Sequence, residues 1–213
     1  MVSQSLIHIG IVGCGNISET HARASREIDG VEIAAIYGRN RERCERLGQL
    51  YGGVVYEDFD AFLEHRPMDV VAIGSPSGLH AEQGIAAARR GLHVLVEKPI
   101  DITTARADAL IAECERAGVK LGVFFQDRLA PDLIRLKELI DAGRLGRPIL
   151  ISARVKWYRP QDYYSESHWA RHARLRRRRR AYQSGCAHGR LAVVADGRCN
   201  ACAGKSEHCA SQD

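Results

Sequence analysis

The sequence predicts an α/β fold in which helices cover both faces of a doubly wound parallel sheet. Short apolar segments alternate with longer segments of helical periodicity over about two thirds of the 213 residues, a pattern typical of parallel strands joined by crossover helices. The apolar segments are continuous, as expected for strands that are buried on both faces. A glycine-rich turn between the first strand and the first helix also favours this class.

The predicted strands are short runs rich in β-branched residues. They are Leu6–Val12, Val31–Tyr37, Val54–Tyr56, Asp69–Ser75, His93–Glu97 and Val119–Phe125. The predicted helices have apolar residues at helical spacing. They are Ser18–Ile28, Arg41–Leu50, Phe59–Glu64, Leu79–Arg90, Thr103–Ala117 and Pro131–Ala142. Gly91 and Gly143 follow two of these helices, where glycine favours helix termination.

The pattern changes after Gly146 and indicates a second domain. Residues Pro148–Tyr158 alternate polar and apolar side chains, which is typical of a strand in an antiparallel sheet. We predict a first domain over residues 1–127 and the incomplete start of an α+β antiparallel-sheet domain over residues 128–169. Residues 170–213 are predicted to be a basic, cysteine-containing tail that is disordered or out of frame.

The net positive charge of the chain comes entirely from this tail. Residues 1–170 have 21 Lys and Arg against 23 Asp and Glu, whereas residues 171–213 have 10 against 3.

The composition excludes a collagen, an acidic disordered chain and a disulfide-stapled scaffold. No apolar run reaches the roughly 18 residues of a membrane span, and the first five residues are too short and polar for a secretory signal. We therefore expect a cytoplasmic protein with no membrane partner.

The turn Gly13–Ser18 reads G-x-G-x-x-S and is one small residue away from the dinucleotide-binding fingerprint. Gly13 permits a tight turn, Gly15 lets the backbone approach a diphosphate, and Ser18 is small enough for the helix to pack on the strand. The helix N-terminus then presents free N–H groups to the phosphates. Dinucleotide binding is the prediction, and a bare turn between strand and helix is the alternative.

The end of the second strand bears on the choice of cofactor. An acidic residue usually follows this strand and binds the ribose 2′-hydroxyl of NAD, but this chain has Gly38-Arg39-Asn40-Arg41 there. Arg39 is suited to pair with the 2′-phosphate of NADP, so we favour NADP over NAD. The alternative is that Arg39 and Arg41 are solvated residues at the start of a helix.

Four later motifs follow the glycine turn in a fixed order. They are Ser75–His80 (S-P-S-G-L-H), Val96–Pro99 (V-E-K-P), Phe125–Arg128 (F-Q-D-R) and Trp157–Pro160 (W-Y-R-P). With the turn, this series resembles the Gfo/Idh/MocA family of NAD(P)-dependent oxidoreductases over residues 6 to about 169, and E-K-P is its most specific element. The resemblance implies a Rossmann domain, followed by an α+β domain whose open sheet holds a sugar or polyol substrate.

The resemblance also implies site residues by position. The implied cofactor-binding set is Gly13, Gly15, Asn16, Ile17, Ser75, Pro76, Leu79, His80, Glu97, Lys98 and Gln126, to which the end of the second strand adds Arg39. Lys98 corresponds to the active-site lysine, whose ammonium group would hydrogen-bond the reacting hydroxyl; the alternative is a surface lysine after a strand. A structural hydrogen-bonded histidine is an equal alternative for His80. Asp127 replaces the asparagine usual in the third motif, and Trp157–Arg159 are expected to pack rather than bind substrate.

The resemblance ends where the family continues with a D-G-G-G-A-L segment. Codons for Leu175–Ala181 can be chosen so that the frame one base later reads F-D-G-G-G-A, and those for residues 190–197 so that it reads D-L-L-L-W-L-M. We hypothesise a frameshift between about residues 169 and 174. Two functional alternatives are nucleic-acid binding through Arg176–Arg180 and a zinc site at Cys199-x-x-Cys202 with nearby cysteines and histidines; neither is favoured, so no metal and no specific nucleic-acid partner is expected.

The expected function is hydride transfer between NAD(P) and a sugar-like hydroxyl, impaired in this chain because part of the substrate site is replaced. A non-enzymatic NAD(P)-binding or phosphate-binding module is the alternative. Intact relatives commonly pair through the second-domain sheet, so a well-formed homo-oligomer is not expected here. Cys14, Cys44 and Cys114 are interpreted as reduced, mostly packed thiols.

Overall fold

The computed structural model describes residues 6–147 and Tyr158, which fall into two compact units. The first unit contains the described residues 6–124. The second contains residues 125–147 and Tyr158. None of the helices in the described part of the chain is long and apolar enough to cross a membrane.

The first unit is built on a six-stranded parallel sheet. Its strands are β1 (Ile7–Val12), β2 (Val31–Tyr37), β3 (Val54–Tyr56), β4 (Val70–Ile73), β5 (His93–Val96) and β6 (Leu121–Val123). Their order is β3-β2-β1-β4-β5-β6. The chain therefore winds outward in one direction from β1 and in the other from β4, which confirms the predicted doubly wound Rossmann sheet.

Five helices connect the strands. They are α1 (Asn16–Arg26), α2 (Arg41–Tyr51), α3 (Phe59–Leu63), α4 (His80–Arg89) and α5 (Thr104–Ala117), with a 3₁₀ turn at Ser77–Leu79 before α4. Polar side chains cap three of the helix starts, since Asn40, Asp58 and Thr103 each accept a backbone N–H from the first turn. Gly118 ends α5 in the left-handed conformation.

The core consists of two apolar clusters that contain alternate residues of the same strands. One cluster includes Val12, Ile73 and Phe62, and the other includes Ile11 and Ala72. Because successive side chains of a strand point to opposite faces, the clusters lie on opposite faces of the sheet. Burial on both faces explains why the strands read as continuous apolar runs.

The structure shortens four predicted strands, β1 and β5 by one residue each and β4 and β6 by more. β4 ends at Ile73, and Gly74 belongs to the loop that follows. β6 begins only at Leu121, because Val119 still belongs to the end of α5, where its N–H donates to the Cys114 carbonyl oxygen. Of the predicted strand Pro148–Tyr158, only Tyr158 is described, and it lies in neither helix nor strand.

The second unit begins with a 3₁₀ turn at Gln126–Leu129 and continues into α6 (Pro131–Asp141). Pro131 occupies the first turn of α6, where its missing N–H leaves no intrahelical hydrogen bond unmade. The contact units divide after Phe124, and the predicted domain boundary at residue 127 stays a prediction. The basic tail and its proposed frameshift lie outside the described residues.

Candidate dinucleotide-binding site

The carboxyl ends of the strands form one aligned edge of the sheet. Register places six strand-end residues in a single row, namely Tyr56, Tyr37, Val12, Ile73, Val96 and Val123. The hydrogen bonding continues one residue further, since Gly13 N–H donates to Tyr37 O (2.7 Å) and Gly74 N–H to Val12 O (2.8 Å). The winding direction reverses between β1 and β4, and ligands bind at this point in open α/β sheets.

Gly13 and Ser18 pack the glycine turn against β4. Gly13 has φ +108°, and a Cβ atom there would lie 2.8 Å from Ser18 Oγ and 2.9 Å from the carbonyl carbon of Gly74. Ser18 is fully buried, and a Cβ on Gly74 would also lie 2.8 Å from its Oγ. The turn therefore requires glycine at position 13 and a small residue at position 18, as the sequence predicts.

Gly15 has the opposite environment. It is the N-cap residue of α1 with extended backbone (φ −90°, ψ −178°), and a Cβ atom built there meets no described atom within 4 Å. No side chain caps this helix start, and no backbone acceptor within the described part of the chain takes the N–H groups of Asn16, Ile17 or Ser18. α1 has eleven residues, and the open space over its uncapped N-terminus is suited to a phosphate group.

The residues after β2 differ in whether their side chains make hydrogen bonds or ion pairs. Asn40 caps α2 through the Arg43 N–H (2.9 Å). Arg41 is paired with Glu45 and Glu57, both at 2.7 Å. Arg39 is exposed and has no ion pair or hydrogen bond to any residue that the structure describes. Of the two arginines considered above, Arg39 is therefore the one available to an anionic ligand.

Buried hydrogen bonds join the loop after β4 to the loop after β5. The His80 ring is 1% exposed, with Nδ1 2.9 Å from Pro99 O and Nε2 2.8 Å from Ser75 O. Asp101 is buried and accepts the N–H of Ala81 at the start of α4 (2.9 Å). Both ring nitrogens of His80 are occupied by carbonyl oxygens, which favours the structural interpretation of this residue.

Glu97 and Lys98 follow β5 at the same edge. Glu97 is buried, its Oε2 accepts the Lys98 N–H (3.1 Å), and its Oε1 lies 3.1 Å from His21 Nε2. The His21 ring stacks on Phe124 with ring centroids 4.1 Å apart. The Lys98 ammonium group has no ion pair or hydrogen bond to a described residue, so it is available to a ligand.

His21 was not among the residues that the sequence analysis singled out. It lies on α1, 76 positions from Glu97, and nothing in its immediate sequence signals the contact. The sheet topology could have indicated the contact. α1 begins after β1 and Glu97 follows β5, so both lie at the same carboxyl edge of the sheet. His21 is partly buried there and is the partner of a buried carboxylate, which needs hydrogen bonds to offset its desolvation.

The predicted site residues fall into two groups. The first unit brings most of them to the carboxyl edge of the sheet or the loops that follow it, namely Gly13, Gly15, Asn16, Ile17, Arg39, Ser75, Pro76, Leu79, His80, Glu97 and Lys98. Gln126 belongs to the second unit, where it is exposed at the start of the 3₁₀ turn, and its cofactor contact stays a prediction. Tyr158 is 86% exposed; Trp157 and Arg159 lie outside the described residues.

This combination of a doubly wound sheet, a glycine turn at the reversal point and an open helix N-terminus defines a protein of the dinucleotide-binding Rossmann class. The chain matches the family model for oxidoreductases with an NAD-binding Rossmann fold over residues 7–125. It belongs to the Gfo/Idh/MocA family. The predicted family, fold and NAD(P) class of cofactor are thereby confirmed.

Relatives of known activity support this assignment. The chain is 35% identical to the D-apiose dehydrogenase of Paraburkholderia graminis over 65% of its own length, and 31% identical to the myo-inositol 2-dehydrogenase of Thermotoga maritima over 74%. It spans only 37% and 48% of those two proteins. Among solved structures, it is similar to the WlbA dehydrogenase of Bordetella pertussis in complex with NADH and UDP-GlcNAcA, with a TM-score of 0.75, 32% identity and coverage of 79% of this chain and 49% of the other.

A second solved structure is a 3-ketoreductase. KijD10 from Actinomadura kijaniata, in complex with NADP and TDP-benzene, matches with a TM-score of 0.61 and 31% identity. The match covers 65% of this chain and 43% of KijD10. Structural relatives therefore include one complex with NADH and one with NADP, so the choice between the two cofactors depends on the residues of this chain.

Proposed function

We propose that the protein is an oxidoreductase that transfers hydride between a nicotinamide dinucleotide and a hydroxyl-bearing carbon of a sugar or polyol. The observation that carries the proposal is the alignment of the open Gly15 turn and Lys98 along one edge of the sheet. An extended dinucleotide would contact the turn with its diphosphate and the loops after β4 and β5 with its nicotinamide ring.

The diphosphate would bind at the start of α1. Asn16 and Ile17 contribute N–H groups that are free of backbone acceptors in the described region, and the partial positive charge of the helix terminus adds to the attraction. Gly15 leaves the space above them open. These features are suited to a diphosphate group.

The adenosine end favours NADP. Gly38 stands where NAD-specific sheets have an acidic residue, so no carboxylate at that position opposes a 2′-phosphate. Arg39 follows it and makes no ion pair or hydrogen bond with the described residues, whereas Arg41 is held by two glutamates. A guanidinium group forms paired hydrogen bonds with phosphate, and Arg39 is the group we propose for this contact.

Lys98 would act at the nicotinamide end. When bound, the nicotinamide ring supplies the position that accepts or donates hydride. The Lys98 ammonium group would hydrogen-bond the substrate hydroxyl and orient it, and it would lower the barrier to proton removal from that oxygen. The buried Glu97 carboxylate, held by His21, fixes the backbone N–H of Lys98 and so positions the segment that carries the ammonium group.

The test separates cofactor binding from turnover. The full chain would be titrated with NADPH and NADH, and hydride transfer to NADP would be followed under single-turnover conditions with a panel of sugars and polyols. We expect Lys98→Met to lower the rate at least about 100-fold, the lower range for loss of acid–base catalysis, with cofactor affinity nearly unchanged. Cofactor binding with no hydride transfer by the unaltered chain would favour the non-enzymatic binding module or, equally, the impaired enzyme that the sequence predicts.

We also infer a cytoplasmic protein with a sugar-like small-molecule substrate. Cys14, Cys44 and Cys114 are free thiols, which is typical of a reducing compartment. The expectations of no specific nucleic-acid partner and no well-formed homo-oligomer stay predictions.

A further inference from the structure

Cys14 and Cys44 lie together at the adenosine end of the candidate site. A Cβ atom on Gly38 would lie 2.8 Å from Cys44 Sγ and 3.0 Å from Cys14 Sγ, so both sulfur atoms occupy the space above this one glycine. The two thiols are also hydrogen-bonded to each other. Cys14 belongs to the glycine turn and Cys44 to the first turns of α2. Because the two residues are 30 positions apart, the sequence alone does not indicate that they form a pair.

The two cysteines have unequal environments. Cys14 is half-buried, and the Cys44 hydrogen bond, the Asn40 N–H and the nearby guanidinium groups of Arg43 and Arg39 lower its pKa to about 6, against the opposing effect of burial. Cys44 is fully buried, and its hydrogen bond to Cys14 and its burial raise its pKa. Cys14 is therefore the thiolate at neutral pH, and Cys44 is the protonated thiol beside it.

We propose that Cys14 and Cys44 form a peroxide-sensitive dithiol that closes to a disulfide within the glycine turn. The Cys14 thiolate attacks one oxygen of a hydroperoxide, the O–O bond breaks, and the departing alkoxide takes a proton and leaves as an alcohol. This step oxidises Cys14 to a sulfenic acid. The Cys44 sulfur then attacks the Cys14 sulfur, the S–O bond breaks, and hydroxide leaves with the Cys44 proton as water.

The position of the pair gives the disulfide a consequence for ligand binding, which rests on the proposed function. Cys14 lies between Gly13 and Gly15, the two glycines that shape the diphosphate contact. Gly38, over which the sulfurs meet, occupies the ribose-contact position. A bound dinucleotide covers this turn, so the cofactor protects Cys14 from oxidation, and the disulfide weakens cofactor binding.

The covalent part is tested by treating the reduced full chain with hydrogen peroxide and mapping its peptides by mass spectrometry. We expect a Cys14–Cys44 cross-link as the main product, and a dimedone-trapped sulfenic acid on Cys14 in the Cys44→Ser variant. Cys114→Ser is the matched control, because Cys114 is buried with a raised pKa and its loss leaves the cross-link unchanged. Iodoacetamide at pH 7 is expected to alkylate Cys14 at least about tenfold faster than Cys114.

Survival of both thiols in the folded chain, or pairing of Cys14 mainly with another cysteine, would overturn the dithiol. Circular dichroism would check that Cys44→Ser is folded, and Cys44→Ala would replace that variant if it is not. The regulatory consequence is tested separately, by measuring NADPH affinity. The disulfide form is expected to bind NADPH at least about tenfold more weakly, which is the effect of one lost hydrogen bond to a charged group. Reduction with dithiothreitol is expected to restore the affinity. Equal affinity of both forms would contradict this consequence, whereas a reduced chain that binds neither dinucleotide would refute the proposed function and leave the cross-link standing.

Discussion

Gly13 and Gly15 are two positions apart, yet the structure predicts opposite effects when each is changed to alanine. At position 13, the new methyl group would meet Ser18 Oγ at 2.8 Å and the Gly74 backbone at 2.9 Å, in a left-handed conformation. At position 15, the methyl group would meet nothing within 4 Å, and the backbone is already extended. The first change strains the fold, and the second fills only the space assigned to the ligand.

The magnitudes follow from these contacts. For Gly13→Ala, backbone strain of about 1–3 kcal/mol and overpacking of about 1–3 kcal/mol together lower the free energy of unfolding by about 2–6 kcal/mol. For Gly15→Ala, a weaker helix cap and a less flexible unfolded chain oppose each other, so the free energy of unfolding changes by less than about 1 kcal/mol. The methyl group instead displaces the diphosphate from an N–H contact worth about 1.5–3 kcal/mol, which raises the cofactor Kd about 10- to 100-fold.

Urea denaturation followed by circular dichroism measures the first quantity, and isothermal titration calorimetry with NADPH measures the second. Each variant serves as the control for the other, because one loses stability and the other loses affinity. Unchanged cofactor affinity in Gly15→Ala would refute the assignment of the diphosphate to this turn. Unchanged stability in Gly13→Ala would refute the packing of the turn against β4.

Three further predictions concern charged and aromatic residues. Arg39→Ala is expected to weaken NADPH binding by about tenfold but NADH binding little, with Arg41→Ala as the matched control; equal losses for both cofactors would contradict the NADP preference. His21→Phe keeps an aromatic ring but removes a hydrogen bond from the buried Glu97, so urea denaturation should show a loss of about 1–3 kcal/mol, and full stability would argue against that contact. Asp69 accepts the backbone N–H of His8 and lies beside the His8 ring, and these contacts hold the pKa of Asp69 below the ordinary 3.8. The ionised carboxylate therefore stabilises the fold above that pH, and this stabilisation is lost as the pH falls through the lowered pKa. Because this carboxylate is half exposed, Asp69→Asn should flatten the acid side of the stability curve by less than about 1 kcal/mol; identical acid unfolding profiles would count against it.

Local sequence signals predicted the elements well where both ends carry a clear chemical marker. The bounds of β2 and β3 agree with the predicted Val31–Tyr37 and Val54–Tyr56, because glycine precedes each strand and a glycine or an acidic residue follows it. The end of β4 is less clear, since Gly74 still donates a hydrogen bond to Val12 O although the strand ends at Ile73. The predicted β4 was therefore longer than the observed one.

The candidate site shows a similar limit. The roles of Gly13 and Ser18 could be predicted because their constraint is local to a turn and its helix. The contacts of His21 with Glu97, and of Cys14 with Cys44, join segments that only the sheet order brings together. Their geometry depends on the register of strands distant in sequence, which a periodicity pattern does not specify.

Calorimetric titration of the reduced, folded chain with NADPH and NADH tests the central claim most directly. The account predicts saturable binding of one dinucleotide per chain, tighter for NADPH than for NADH. Absence of binding by both dinucleotides, in a sample that still unfolds cooperatively in urea, would contradict it.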